Sequence, residues 1–345
     1  MRKISTAITA TLVVGIAAAT LTACSTSAAG PTPTATSTAS WSKIQAAADK
    51  EKTVTLYGNK AATVGNELGL AFEAEYPDIT FNYVQGISAT QEIQVDQESA
   101  SGAKGADVFL LTDPIYSDKQ VSTGKFVSPV GPQAQDPQWA KQVAKSGYVN
   151  ISIDPYLLCY NTNLVKTSPT TVTAMLNDKS LGNQEIGISD VIALGTIAGY
   201  KAYEAKLGSS FLTDLAATKP RVYAGFSVIA QALPAGEIKA SLAITPSYYE
   251  AMSAAKAPVR CTVPTDAPIG VGYQVAALKN AKSPNAAQLL VNFMMTDKGQ
   301  SILNGTFGHS PIDTTSKLAA FSYKGLDNPA TVTAFTQNFD KLFKG

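Results

Sequence analysis

Short β-branched runs alternate with helical stretches between residues 53 and 111, and this alternation restricts the fold more than any other feature of the chain. Residues 53–57 (TVTLY) predict a buried strand, and Gly58-Asn59-Lys60 predicts a turn. Residues 62–76 carry Val64, Leu68, Ala71 and Phe72 at helical spacing, and Pro77-Asp78 stops the helix. Residues 79–84 predict a second strand, 89–101 a polar helix and 106–111 a third strand. A β-α-β-α-β start implies an α/β fold with parallel strands covered by helices. Ligands of such sheets sit beyond the carboxyl ends of the strands. The loops after Tyr57, Val84 and Leu111 are therefore the first candidates for a site.

The same style continues. Residues 156–160, 186–189, 242–245 and 271–278 predict further strands, and 195–207 a long helix. Residues 229–233 run into a turn at Gly236, and 285–295 predict a strongly amphipathic helix. No internal repeat and no coiled-coil heptad occurs.

Composition excludes several function classes. The chain has 27 Lys+Arg against 26 Asp+Glu, so no basic excess exists to neutralise a nucleic-acid backbone. Hydrophobic residues make up 45%, too many for long disorder. Three Cys and one His leave little for a Cys/His zinc site. A surface-anchored hydrolase would rest on His309 alone, and no G-x-S-x-G elbow supports it. The Gly308-His309-Ser310-Pro311 stretch reads as structural. No P-loop is present.

The N-terminus reads as targeting. Arg2 and Lys3 precede an apolar run over 8–19, which is shorter than the roughly 20 residues of a membrane span. Leu21-Thr22-Ala23-Cys24 resembles a bacterial lipobox, in which the Cys thiol is acylated and the peptide is cut just before it. This predicts a signal peptide over 1–23, a lipid on Cys24 and an extracytoplasmic protein held to the cell membrane. A Ser/Thr/Ala/Pro/Gly tract follows without charge, and 24–41 is expected to be a flexible tether.

Several segments together resemble the family 1 extracellular solute-binding proteins, the group that includes ferric-ion-binding proteins. They are TVTLYGNK (53–60), LAFEAEYPDITFNYVQG (70–86), GADVFLLTDPIYSDKQVSTGKFVSPV (105–130), YLLCYNTNLV (156–165), LPAGEIKASLAITPSYYEAM (233–252) and APIGVGYQVAALKNAKSPNAAQLLVNFMMTDKGQSIL (267–303). The resemblance implies a two-lobe, type II periplasmic-binding-protein-like fold, with each lobe a mostly parallel sheet flanked by helices and a solute in the cleft. It implies boundaries at 42–130 for the first part of lobe 1, 131–264 for lobe 2, and 265–345 for the return to lobe 1 with C-terminal helices. The expected function is the monomeric binding component of an ABC importer, which delivers a small organic solute to the permease. No enzymatic activity and no cofactor are expected.

Candidate ligand residues follow from the same loops. Tyr57, Asn59 and Lys60 follow the first strand, Ser88 and Thr90 the second, and Thr112 and Asp113 the third. Tyr160 and Tyr273 are candidates for ring faces in the cleft, with buried packing the commoner fate. Residues 190–196 (DVIALGT) stand where many relatives place a Ser/Gly-rich turn; Asp190, Gly195 and Thr196 are the candidates there. Few hydroxyls remain in this turn, which weighs against a strongly anionic solute. Tyr248 and Tyr249 match the adjacent pair that supplies two phenolates to Fe³⁺ in ferric-binding relatives. The accompanying His is missing, since Lys60-Ala61 stands there, and the carboxylate is shifted one place to Asp113. No metal is therefore favoured. Cys159 and Cys261 are expected to pair in an oxidising compartment, the alternative being two buried thiols.

Overall fold

The computed structural model describes residues 38–103, 105–316, 318 and 320–345. The signal peptide and Cys24 lie outside these residues. Helix α1 (Thr38–Glu51) occupies the end of the expected tether, and Trp41 is buried.

The chain then runs through β1 (Thr53–Gly58), α2 (Ala62–Glu75), β2 (Thr80–Gln85), α3 (Ser88–Ser101), β3 (Val108–Leu111) and α4 (Pro114–Ser122). Short pieces follow: β4 (Phe126–Val127), α5 (Pro132–Gln135), α6 (Pro137–Ala140) and β5 (Val143–Ala144). Strand β6 (Tyr148–Pro155) leads directly into β7 (Leu157–Asn161). Next come α7 (Val172–Asn177), β8 (Ile186–Ser189), α8 (Leu194–Leu207), α9 (Phe211–Ala217), β9 (Arg221–Tyr223), α10 (Phe226–Ala235), β10 (Ala240–Ile244), α11 (Pro246–Ala254) and β11 (Val259–Thr262). The chain closes with β12 (Gly270–Leu278), α12 (Pro284–Met294), α13 (Asp297–Asn304) and α14 (Pro329–Phe343).

These strands form two sheets. The first has the order β2-β1-β3-β12-β6-β5, with β4 also paired to β12; the second has the order β11-β7-β10-β8-β9. The chain passes from the first sheet to the second at Pro155–Tyr156 and returns between β11 and β12. The expected lobe boundary at 131 is therefore corrected, because β5 and β6 belong to the first sheet. Both sheets are mixed rather than mostly parallel. Strands joined by helices, such as β1, β2 and β3, pair in parallel, whereas β12 runs antiparallel to β3 and β6. Strand β7 is likewise antiparallel to β10 and β11.

The register of β7 and β11 sets Cys159 opposite Cys261, and the two are disulfide-bonded. Cross-linking positions 102 residues apart removes loop entropy from the unfolded chain, by about 2–4 kcal/mol in typical cases.

Helix α2 lies close on β2 because it presents glycine there. A Cβ at Gly65 would sit 2.0 Å from the Tyr83 ring, and one at Gly69 2.5 Å from the Phe81 ring. Gly65→Ala would normally favour a helix by about 1 kcal/mol. Here overpacking against Tyr83, costing about 1–3 kcal/mol, is expected to win and lower stability. Urea unfolding of the variant checks this, and a raised midpoint would contradict the packing argument.

Candidate functional site

A cavity enclosing about 640 Å³ of atom-free space, counting its mouth, opens between the two sheets. It is built from strand ends. Asn59 follows β1, Ser88 opens α3 after β2, and Thr112 follows β3. The Asn59 amide donates to Ser88 Oγ at 3.0 Å and to Thr112 Oγ1 at 3.4 Å, which joins the three strand ends. The second sheet contributes Ser189 at the end of β8, Gly195 and Thr196 in the first turn of α8, Gly225–Ser227 after β9, and Thr245 with Tyr248 after β10. Tyr156 from the crossing, with Val271 and Tyr273 from β12, completes the wall.

Alternation along an extended chain explains why neighbouring candidates separate. Asn59 reaches the cavity. Lys60, one residue on, points beneath it and is buried with Asp154, their side chains 1% and 0% exposed and the Nζ–Oδ2 distance 2.6 Å. Its ammonium also lies 4.0 Å from the centre of the Tyr273 ring. Tyr57 faces away from the cavity as well; its hydroxyl donates to Glu98 Oε1 at 2.9 Å. Burial, with the Glu98 carboxylate beside it, pushes the Tyr57 phenol up to about 12.

The Tyr pair also divides. Tyr248 lines the cavity, and its hydroxyl accepts from Gln85 Nε2 across the cleft at 3.1 Å. Tyr249 instead packs edge-on against Phe307, with centroids 5.7 Å apart. With Tyr249 held against Phe307, only Tyr248 of the pair lines the cavity. Burial raises the Tyr248 phenol above its ordinary value, against the lowering effect of hydrogen bonds with Gln85 and Ser227.

Three other candidates have structural partners. Asp190 accepts from the Val191 N–H at 2.7 Å and pairs with Lys344 at 2.8 Å. Asp113 caps α4, accepting from Ile115 and Tyr116 N–H groups at 2.8 and 3.0 Å. It also lines a neighbouring cavity of about 520 Å³, together with Glu92, Thr112, Leu194 and Val332. Tyr160 bonds Ser168 and lies in the core rather than the cleft, and Thr90 is exposed.

The segment Gly225–Ser227 was not legible in the sequence, since β9 ahead of it spans only three residues. Glu92 was also missed, being one acid within a polar helix. Tyr323 was a third omission. Its hydroxyl donates to the Thr112 carbonyl, and it lies 3.0 Å from where a Cβ on Gly195 would stand.

Burial, then the nearby charges of Asp113 and Asp96, push the Glu92 carboxyl up to about 8. The unfolded chain releases this proton near the ordinary glutamate value, while the folded chain keeps it. Stability is thus full below pH ~4.5 and falls as pH rises towards 8, at up to about 1.4 kcal/mol per pH unit from this group. Glu92→Gln is expected to flatten the decline between pH 5 and 8, read from thermal unfolding across pH; an unchanged profile would assign the decline elsewhere.

Comparison with known proteins adds the family. The sequence profile of the bacterial extracellular solute-binding proteins matches residues 38–301. A comparison with curated protein sequences returns no match. Among solved structures, the chain resembles the substrate-binding protein of an ABC transporter from Agrobacterium tumefaciens, with a TM-score of 0.72 and 16% identity over 86% of this chain and 97% of that one. It also resembles iron-bound HitA from Pseudomonas aeruginosa, with a TM-score of 0.59 and 19% identity over 83% and 99%. AfuA from Actinobacillus pleuropneumoniae, solved with exogenous fructose-6-phosphate, gives a TM-score of 0.66 and 16% identity over 85% and 99%. These likenesses show a type II periplasmic-binding-protein fold. Taken with the profile match, they establish that the chain belongs to the bacterial extracellular solute-binding proteins, the extracytoplasmic substrate-binding components of ABC transporters.

Proposed function

We propose that this protein is the lipid-anchored receptor of an ABC importer. It captures one small organic solute in the cavity between its two sheets and delivers it, as a monomer, to the permease. The observation that carries the reading is that polar groups from both sheets converge on one cavity, with Asn59, Ser88 and Thr112 from one side and Thr196, Ser227 and Tyr248 from the other. A solute touching both sides is held by more contacts than either side alone supplies. Ferric iron is the weaker reading, because Tyr249 points away from the cavity and no His stands beside Asn59.

Native mass spectrometry of the protein purified from its own host is expected to show one bound organic mass. Tyr248→Ala is expected to weaken binding of that molecule at least tenfold, about 1.4 kcal/mol, with native circular dichroism. Equal affinity in the variant would remove Tyr248 from the site. The anchor is tested separately. Cys24→Ser leaves no thiol to acylate, so the protein should be found unprocessed or released from the membrane fraction. Normal trimming with continued membrane retention would sink the lipid anchor.

A further inference from the structure

Side-chain caps are absent at α2, α5, α9 and α11 as well as at three helices of the cavity, and the contrast lies among the remaining helix starts. At several of them, the chain supplies its own oxygen to the free N–H groups. Asp113 caps α4, Thr296 caps α13 at 3.2 Å, and Asp266 accepts from Val172 and Thr173 of α7 at 2.9 and 3.0 Å. The Glu51 carboxylate accepts from Asn285 and Ala286 at the start of α12, at 3.1 and 2.8 Å. Around the cavity the arrangement is different. Helices α3, α8 and α10 begin after Ile87, Ala193 and Gly225 with no side-chain cap. The first hydrogen bonds back to these residues come from Thr90, Thr196 and Val228. The N–H groups of Ser88, Ala89, Leu194, Gly195, Phe226 and Ser227 have no acceptor among the described residues.

Side chains of the same cavity add independent donors. Tyr156 and Tyr273 line it while only 4% and 2% exposed, and neither hydroxyl bonds a described residue. Asn59 donates to Ser88 and Thr112, while its own Oδ1 is buried without a partner. No Lys, Arg, Asp or Glu lines this cavity. Unpaired N–H groups and the positive ends of three helix dipoles, facing one cleft, favour negative charge.

We propose that the solute is a small organic oxyanion, a carboxylate or a phosphate ester, whose charged group sits among the starts of α3, α8 and α10 and whose O–H or N–H donates to Asn59 Oδ1. This rests on reading the cavity as the solute site and names the ligand's class. The loss of hydroxyls from 190–196 does not oppose it, because the donors are backbone groups that Ile192, Ala193 and Leu194 leave in place. Glu92 and Asp113 line only the neighbouring cavity. Asp113 Oδ1 is engaged at α4, and Glu92, pushed up to about 8, carries little charge near neutrality.

The test measures thermal unfolding and calorimetric binding of the full lipoprotein in detergent with glycerate, glycerol 3-phosphate and inorganic phosphate, against glycerol and putrescine at equal ionic strength. The three oxyanions are expected to stabilise it at millimolar concentration, and the neutral and cationic probes to have no effect. In Ala193→Asp a side chain of the protein itself caps α8. Oxyanion affinity should fall at least tenfold while the ligand-free melting temperature holds or rises. Leu194→Pro removes one N–H at a position where proline is tolerated, since Ala193 is already extended (φ −129°, ψ 145°), and should weaken oxyanions in the same direction. Unchanged oxyanion affinity in both variants overturns the proposal. Stabilisation by glycerol or putrescine alone overturns the charge assignment and leaves the solute-binding reading standing. If no probe binds, a small-molecule extract of the host medium, split on a strong anion exchanger, decides. Stabilising activity in the retained fraction supports an oxyanion and activity in the flow-through refutes it. Activity in neither refutes solute binding as well.

Discussion

A buried ion pair beneath the cleft fixes most of what surrounds it. Lys60 leaves the end of β1 and meets Asp154 of β6, so the turn before α2 is tied to the strand that carries the chain to the second sheet. Burying two charges costs several kcal/mol per ion, and their attraction offsets this only when the other polar atoms are satisfied. They are satisfied here: Ser152 lies 3.4 Å from the ammonium and 3.1 Å from the carboxylate, and 2.8 Å from Asn304 of α13. Removing one partner would leave a lone charge, a loss of about 3–5 kcal/mol. The pair also sets the site. With Lys60 drawn down, Asn59 is turned up towards Ser88 and Thr112, and the Tyr273 ring is held against the ammonium.

This geometry marks the limit of sequence reading. The alternation of strands and helices from 53 to 111 was legible because each element is long enough to show its period. It pointed to the loops that carry Asn59, Ser88 and Thr112. Which side chain of each loop reaches the cavity was not legible. Asn59 and Lys60 differ by one position, and a one-residue change reverses the face, while Tyr57 is drawn instead to Glu98. Tyr248 and Tyr249 pose the same problem on a helix. Asp154-Pro155 breaks the run and a strand was expected from 156, but β6 ahead of it was not, so the change of sheet at Tyr156 was hidden, and with it the reason Tyr156 lines the cleft.

Local helix chemistry separates stability from binding in this molecule. A side-chain cap contributes roughly 1 kcal/mol, and Ser, Thr, Asp or Asn at the N-cap is the usual source. The chain uses that source at Asp113, Asp136, Thr171, Thr296 and Asn328, all at the starts of other helices. At the cavity it places Ile87, Ala193 and Gly225, which have no side-chain oxygen, and Thr245, whose hydroxyl meets Ser247 Oγ rather than an N–H of α11. Stability is forgone at the positions where a ligand would otherwise have to displace an internal cap. This pattern is readable in sequence only after the helix starts are known.

The tail braces the cavity from outside the segment that the family profile matches. After the profile match ends at residue 301, the chain pairs Ala320 with Gly270 at the start of β12, then sends α14 onto α8 and α9 of the second sheet. Phe335 and Phe339 pack on the Tyr200 ring, and Lys344 reaches Asp190 just before α8. Between these anchors Tyr323 sits at the seam, bonded to the Thr112 carbonyl on one side and against Gly195 on the other. A side chain larger than glycine at 195 would meet that phenol, so the open start of α8 and the position of Tyr323 depend on each other. The tail therefore supports the wall of the cleft from behind, through the Thr112 carbonyl and the open start of α8.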